Sequence, residues 1–427
     1  MKKIVLPLAG LLAAAAFAPE ASAIPAFARQ TGMACSACHQ QHFPVLNSFG
    51  QAFKAGGYTL MGAQGKVEGE HLSIPDTLNA AMLLKARYQK SNGTDAAGTV
   101  SGTTTNGGQW QIPDELSLFF GGRIAENIGF MNENNLVGGP VGGIVAGLKM
   151  PIVFEAGSAK FLVIPYLTDS LGVAYGFEQS STGMARGVRW AEHRKDISAQ
   201  QYVGVGSGEA SGLAMVLIND MGYINLSRWS PNFAFAGGAT GVQMSSSWLR
   251  IAATPNVGSW NMHIGAGFAS GSNYTAGGAA KIDTKATAVD FQGFTQVGGK
   301  DLGVYATYAS APFIRAVAGG TTGNAFGSGM GGTTTAYTIG ADYSVIPHTL
   351  HIGAAYRNAK NGDTATNKQG DNSVTLTTVY DLAQNVALHM NYSARSGSSY
   401  GRGGANDTSV VGKEGNSLLT FLLEAAW

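Results

Sequence analysis

The chain ends in an alternating sequence, Ser417-Leu418-Leu419-Thr420-Phe421-Leu422-Leu423-Glu424-Ala425-Ala426-Trp427. Every second side chain from Leu419 to Trp427 is apolar or aromatic, whereas Thr420 and Glu424 lie on the opposite face of an extended chain. Successive side chains of a β-strand point to opposite faces, so this spacing predicts a strand with one apolar and one polar face.

The same period of two recurs upstream. Apolar and polar side chains alternate through residues 302–308, 337–345, 374–380 and 386–392. Strands of about ten residues, apolar outside and polar inside, are typical of a transmembrane β-barrel, although a soluble sandwich also alternates. The aromatic residue that ends the last strand favours the barrel, because this strand resembles the terminal strand of bacterial outer-membrane barrels.

The connections between the predicted strands alternate in length. Short turns near 125–127, 346–348 and 381–384 alternate with long loops, rich in Gly, Thr and Ser, near 90–111, 312–333, 359–371 and 396–415. Outer-membrane barrels have short periplasmic turns, longer external loops and an even number of strands. We therefore predict that residues 77–427 form a mostly β fold, an antiparallel porin-like barrel of about 16 strands in the bacterial outer membrane.

Composition agrees with a barrel and argues against other classes. Only 12% of the residues are charged, Gly contributes 61 residues, and the mean hydropathy is +0.04. After the first residues, no stretch reaches the ~18 consecutive apolar residues of a transmembrane helix. The net charge of +1 and the lack of Lys/Arg runs give no indication of a nucleic-acid partner.

The first residues have the pattern of a secretion signal. Lys2 and Lys3 precede an apolar run at residues 4–18, and Ala21-Ser22-Ala23 is a small-residue cleavage site. We therefore expect residues 1–23 to be a cleaved signal peptide and the mature chain to begin near Ile24.

The exported chain carries one C-x-x-C-H motif, formed by Cys35, Cys38 and His39. Two thiols at this spacing can form thioethers with one porphyrin, and the adjacent imidazole can ligate its iron. The motif predicts one covalently attached haem c, held by Cys35 and Cys38, with His39 as the proximal ligand of the haem iron. A zinc knuckle completed by His42 and a Cys35–Cys38 disulfide are the alternatives. The chain has two cysteines in all, so no thiol is left for another disulfide.

Residues 24–76 are predicted to be the monohaem cytochrome c segment. Phe43, Leu46, Phe49 and Phe53 recur at helical spacing, which gives an apolar face that can cover a porphyrin or pack on another surface.

The second axial ligand of this haem is less well defined. Met61 lies just beyond the predicted helix, where a returning loop can reach the far face of the iron, and is the candidate distal ligand. His71 is the alternative, followed by Met33 and Met82. A methionine ligand raises the reduction potential relative to a second histidine, so the choice bears on function.

The sequence resembles the outer-membrane cytochrome-porin fusions of iron-oxidising bacteria. The stretches that carry the resemblance are 24–39 (IPAFARQTGMACSACH), 42–44 (HFP), 46–47 (LN), 49–50 (FG), 53–58 (FKAGGY) and 121–125 (GGRIA). The resemblance implies an iron-oxidising oxidoreductase that takes electrons from extracellular Fe(II) at a single haem. It also implies that these electrons cross the outer membrane to a periplasmic c-type cytochrome. Cys35, Cys38 and His39 correspond to the family's haem motif, and Met61 corresponds only as a candidate.

Electron exchange on both sides of a membrane favours a haem within reach of both faces. We therefore expect residues 24–76 to fold into the barrel lumen as a plug. The charged residues that we expect to face inward, set the electrostatics of the lumen and hold the plug are Lys85, Arg87, Glu115, Arg123, His351, Arg357, His389 and Arg395.

Two other functions stay open at this point. One is a diffusion porin with a periplasmic haem appendage. The other is outward electron delivery to an extracellular acceptor such as Fe(III).

Overall fold

A computed structural model of the protein describes seven parts of the chain: residues 25–40, 43–93, 107–137, 145–233, 242–275, 280–399 and 415–427, without the side chain of Lys195. The predicted signal peptide, residues 1–23, and the alternative zinc ligand His42 lie outside the described residues. Within the described ranges, every helix is too short or too polar to span a membrane.

The helices are short and belong to two parts of the chain. Three of them precede the barrel: α1 (Pro25–Thr31), α2 (Cys35–Cys38) and α3 (Ser48–Ala55). A 3-10 turn (Val173–Tyr175), α4 (Arg194–Ile197) and α5 (Ala199–Val203) lie between two barrel strands. A hairpin formed by β1 (Lys66–Gly69) and β2 (Leu72–Pro75) leads from α3 to the barrel.

In the described part of the chain, sixteen spanning segments form one closed antiparallel barrel. The strands of the barrel are β3 (Ala80–Ser91), β4 (Gln109–Ala125), β5 (Ile128–Asn135), β6 (Val145–Lys149), β7 (Ile152–Ala156), β8 (Ala159–Thr168), β9 (Ala210–Asn219), β10 (Gly222–Ser230), β11 (Ser246–Ala253), β12 (Asn256–Val257), β13 (Trp260–Ser270), β16 (Ala286–Val297), β17 (Lys300–Ala311), β19 (Thr334–Ile346), β20 (Leu350–Lys360), β21 (Asn372–Ala383), β22 (Val386–Ser396) and β23 (Ser417–Ala426). A separate small sheet is formed by β14 (Ser272–Tyr274), β15 (Lys281–Asp283) and β18 (Thr321–Asn324). β6 and β7 are two halves of one segment, and β12 continues β11.

The last strand closes the barrel. β23 pairs antiparallel with β22 on one side and with β3 on the other, so that Phe421 lies between Met390 and Tyr88. This closure confirms the predicted barrel of about 16 strands and leaves no unpaired edge in the membrane.

The two faces of the strands divide as the sequence pattern predicts. On β22, Leu388, Met390 and Tyr392 are 42–44% exposed, whereas His389, Asn391 and Ser393 between them are at most 4% exposed. An apolar outer face and a polar lumen match a barrel surrounded by lipid.

The connections also alternate as predicted. One end of the barrel has short turns at 126–127, 157–158, 220–221, 258–259, 298–299, 347–349 and 384–385. The other end has the long connections, and we call these two ends the turn end and the loop end.

The N-terminal helices lie inside the lumen and contact opposite walls. The side-chain carbonyl of Gln30 accepts the backbone N–H of Arg123 on β4 at 2.9 Å. Gln51 on α3 lies 3.2 Å from Nε2 of His263, and its amide nitrogen donates to Asn261 at 3.3 Å, both on β13. Because β4 and β13 are on opposite sides of the closed strand order, the helical part of the expected plug spans the lumen.

A second segment fills the lumen from the loop end. Residues 169–209, which we call the lumenal loop, connect β8 to β9 and carry α4 and α5. The buried side chains of this loop include Tyr175, Phe177, Met184, Val188 and Trp190. The loop contacts the N-terminal helices, because Lys54 donates to the carbonyl of Glu178. This long connection was not predicted from the sequence.

The inward-facing charged side chains of the barrel wall contact two different segments in the lumen. Arg87 lies 3.1 Å from Glu192, and Arg395 lies 2.9 Å from Asp196. Both carboxylates belong to the lumenal loop rather than to the N-terminal segment. Arg123 instead contacts residues 59 and 73, before the barrel. The expectation that these charges hold the N-terminal plug is therefore correct for Arg123, whereas Arg87 and Arg395 hold the lumenal loop.

We expect the substitution Arg250→Met to lower the free energy of unfolding by about 3–5 kcal/mol. Arg250 is fully buried and lies 2.6 Å from Asp290 on β16 and 3.3 Å from Glu178 of the lumenal loop. Methionine removes the cation and leaves both carboxylates buried without a counter-charge. Urea unfolding in lipid vesicles, followed by tryptophan fluorescence, measures the loss. The control Arg228→Met changes an exposed side chain and should cost less than about 1 kcal/mol; equal losses would contradict the expectation.

We expect the intact protein to conduct ions weakly in a planar bilayer and Gly129→Val to raise this conductance several-fold. A Cβ at residue 129 on β5 would overlap the carbonyl oxygen of Gly57, so the valine displaces the N-terminal segment from the wall. In the control Gly69→Val, the added Cβ meets only Leu72 at 3.8 Å, and conductance should not change. A large conductance of the unmodified protein would show that the lumen is open.

Candidate functional site

The C-x-x-C-H motif forms a single helical turn inside the barrel. α2 covers both cysteines, and the backbone N–H of His39 donates to the carbonyl of Cys35 at 2.9 Å. Side chains three and four residues apart share one side of a helix. The turn therefore brings Cys35, Cys38 and His39 to one side of α2.

The residues that follow hold this turn in place. Asn47 caps α3 by accepting the N–H of Gly50 at 3.0 Å, and its amide nitrogen donates to the carbonyl of Ala37 at 3.1 Å. A Cβ at residue 50 would overlap the carbonyl oxygen of Cys38, so glycine is required where α3 crosses α2. The position of the motif is thus set by two short helices packed on each other.

The ring of His39 is oriented by the backbone. Its Nδ1 lies 3.2 Å from the carbonyl oxygen of Val45. A carbonyl only accepts, so Nδ1 carries the proton and Nε2 carries the lone pair that a metal ion requires. A backbone carbonyl in this position is the usual support of a metal-ligating histidine.

Cys38 and His39 line a cavity of about 410 Å³ in the lumen. The cavity lies between the N-terminal helices, the lumenal loop and strands β3 to β6. Its volume is within the range of about 300–1,000 Å³ that is usual for small-molecule and cofactor pockets. The side chains that form its apolar wall are Phe27, Phe43, Phe53, Tyr58, Leu83 and Phe119.

The two cysteines face adjoining spaces. Cys35 is 8% exposed and lines a second cavity of about 40 Å³. Phe43, Leu83 and Phe119 line both cavities, so three apolar side chains separate them. No disulfide joins Cys35 to Cys38.

The candidate distal ligands lie in different places. His71 is at the tip of the β1–β2 hairpin, where its side chain is 94% exposed. Among the described residues, the cavity is lined by Met33 and Met131, and its lining includes neither Met61 nor His71. Met131 was not considered from sequence, and its position on the inward face of β5 is the signal that could have identified it. Ligation by Met61 stays a prediction.

Burial controls the protonation of groups at this site. Burial raises the pKa of the Cys35 thiol to about 12 and also raises that of Cys38. Burial lowers the pKa of Lys54 to about 8, although the carboxylate of Glu178 partly opposes the shift. The cavity therefore disfavours unpaired charge.

Comparison with known proteins finds similarity only at the level of structure. No protein-family model matches the sequence, and no curated protein matches it. One similar structure is outer-membrane expressed OmpT of Vibrio cholerae (12% identity, TM-score 0.44, covering 85% of this chain and 100% of that one). Another is the outer membrane channel DcaP of Acinetobacter baumannii (11%, 0.47, 82% and 97%). A third is Salmonella typhi OmpF, solved in complex with daunomycin (10%, 0.47, 85% and 100%).

These findings support part of the sequence-based interpretation and overturn another part. The chain is a porin-like integral β-barrel of the bacterial outer membrane, and its outer face contacts lipid. The prediction of an iron-oxidising oxidoreductase is wrong, because the chain has the fold of a porin-like barrel.

We expect Cys38 to be alkylated faster than Cys35 in the folded chain produced without haem. Thiolate is the reactive form, and Cys35, whose pKa burial raises to about 12, is also the more deeply buried of the two thiols. Peptide mass spectrometry after timed iodoacetamide treatment measures both rates. Urea-unfolded protein is the control, in which the two rates should converge. Equal rates in the folded chain would contradict the burial of Cys35.

Proposed function

We propose that this protein is an outer-membrane electron-transfer barrel, in which the N-terminal segment holds one covalent haem c in the lumen. The proposed site consists of the thiols of Cys35 and Cys38, which would form the thioethers, and His39, which would ligate the iron. When bound, haem c supplies a one-electron redox centre. The resemblance to cytochrome-porin fusions supports the presence of the haem. Iron oxidation is not part of the proposed function.

The main support is the cavity that Cys38 and His39 share. It has an imidazole oriented by Val45, a thiol beside it, and an apolar wall of aromatic side chains. Haem combines an apolar macrocycle with two carboxylates and an iron that takes an imidazole ligand. The residues present therefore fit this group, whereas a zinc knuckle would need further ligands around the same turn.

The surrounding residues would exclude water from such a centre. Phe27 stacks on Tyr58 with ring centroids 5.0 Å apart, and Phe53 packs edge-on against Phe27 at 5.3 Å. This aromatic cluster lines the cavity on the side of the N-terminal helices. The lumenal loop lines another side with Tyr175 and Ala185.

The position of the cavity suits electron exchange with both sides of the membrane. Several of its wall residues, among them Lys85 and Met131, lie within the barrel strands rather than at their ends. The hydrocarbon band of such a barrel is about 25 Å tall. A centre inside it shortens the distance to partners on either side, and a periplasmic c-type cytochrome is the partner expected at the turn end.

The filled lumen distinguishes this proposal from a diffusion porin with a haem appendage. A barrel of 16 strands leaves an aqueous channel unless something occupies it. Here the N-terminal helices cross between opposite walls, and the lumenal loop is tied to the wall by Arg250 and Arg395. The N-terminal helices and the lumenal loop together block the path that a diffusing solute would take.

We expect the haem-loaded protein, reconstituted in vesicles, to reduce trapped ferric cytochrome c when dithionite is added outside. The variant Cys35→Ala/Cys38→Ala should lose at least nine-tenths of this rate, because it keeps the barrel and cannot hold the haem covalently. The absorbance of the trapped cytochrome measures the reaction.

The same variant also serves as the leakage control. If dithionite diffuses through the barrel, it reduces the trapped cytochrome at equal rates in vesicles of the unmodified protein and of the variant. That result would contradict the proposal and favour a diffusion porin.

A further inference from the structure

We propose that Arg186 and Arg189 of the lumenal loop, together with Arg194, form a binding site for the two propionate carboxylates of haem. This inference rests on the proposed function, because it concerns the cavity that Cys38 and His39 also line.

Four other inward-facing arginines have carboxylate partners. Arg87 lies 2.7 Å from Asp114, and Arg250 lies 2.6 Å from Asp290. Arg357 pairs with Asp371 at 2.6 Å, and Arg395 pairs with Asp196 at 2.9 Å. In each case the wall of the barrel or a loop supplies the counter-charge that a buried guanidinium requires.

Arg186 and Arg189 at the cavity differ from this pattern, whereas Arg194 pairs with Glu192. Arg186 is 8% exposed, and the buried Nε atoms of Arg186, Arg189 and Arg194 have no hydrogen-bond partner among the described residues. Arg189 donates to the carbonyl of Ser181 at 3.2 Å, which is a neutral acceptor. Arg194 lies 3.3 Å from Glu192, but that carboxylate is shared with Lys85 and Arg87.

The cavity as a whole has more positive than negative groups. Its cationic lining residues are Lys54, Lys85, Lys149, Arg186, Arg189 and Arg194. Its carboxylates are Asp114, Glu115, Glu133 and Glu178. Among these lining residues, cationic side chains outnumber carboxylates by two.

The chemistry of the arginines matches this ligand. A guanidinium binds a carboxylate through two parallel hydrogen bonds, and such charge-assisted bonds are among the strongest in proteins. Burial lowers the pKa of the Arg189 and Arg194 guanidinium groups, although nearby carboxylates partly oppose the shift. An anionic group in the cavity would supply the missing partner and would orient the haem with its carboxylates toward the lumenal loop.

The reduction potential of the haem tests this site in the full-length, haem-loaded protein. Removing a cation near the iron favours the oxidised state, which carries one more positive charge. For Arg186→Gln/Arg189→Gln at pH 8, we expect the one-electron reduction equilibrium to fall about tenfold, which is about 59 mV. The potential should also become more dependent on pH between 5 and 8, because the propionates then take up protons more readily. Spectroelectrochemical titration measures both effects.

A matched control separates the site from general effects of charge in the lumen. Arg395→Gln also removes a cation that contacts the lumenal loop, but that cation is paired with Asp196 outside the cavity lining. Equal shifts in Arg395→Gln and in the double variant would overturn the proposal. A potential of the unmodified protein that changes with added acetate or chloride would also overturn it, because a soluble anion would then occupy the arginines.

Conservative variants keep the test decisive if the glutamine variants do not fold. Arg186→Lys and Arg189→Lys keep the charge and lose the two-point geometry, so the propionate bands in the resonance Raman spectrum should move while the c-type absorbance stays. Unchanged propionate bands would overturn the proposal.

Failure of this inference is distinct from failure of the proposed function. If the unmodified protein, matured with a haem-attachment system, shows no c-type absorbance, the proposed function fails. If it shows that absorbance and the arginine variants behave like the control, only the propionate site fails.

Discussion

The structure depends on closing one sheet, because no water is present in a bilayer to satisfy unpaired backbone groups. The pairing of β23 with β3 makes that closure, and Leu418 to Ala426 are each matched to a residue of the first barrel strand. Closure at sixteen segments then creates a second requirement. The barrel is too wide for its own side chains to fill, so other parts of the chain must occupy the lumen or leave a channel.

Two separate segments meet that requirement, and they enter from opposite ends. The N-terminal helices contact β4 through Gln30 and β13 through Gln51. The lumenal loop is held by ion pairs of Arg250 and Arg395 with its own carboxylates. The hydrogen bond from Lys54 to Glu178 joins the two segments. The cavity of the candidate site is the space that remains between these two segments and the barrel wall.

This origin explains the mixed chemistry of the cavity. The N-terminal helices contribute Cys38, His39 and the aromatic cluster, and the lumenal loop contributes arginines. An apolar wall with an imidazole on one side and guanidinium groups on the other suits a flat apolar ligand with an anionic edge. A porin-like barrel with an empty lumen needs none of these features, so the fillings rather than the barrel carry the proposed function.

Local spacing determined much of this protein. The period of two, the terminal aromatic residue and the turn lengths predicted the barrel, and the C-x-x-C-H spacing gave the haem c at Cys35, Cys38 and His39, which stays a prediction. The tertiary structure alone decided which parts fill the lumen, that Met33 and Met131 rather than Met61 line the cavity, and that Arg186 reaches it. Periodicity reflects contacts between near neighbours along the chain. Residues 38 and 186 are far apart in sequence, and only closure of the barrel around both segments brings them to one cavity.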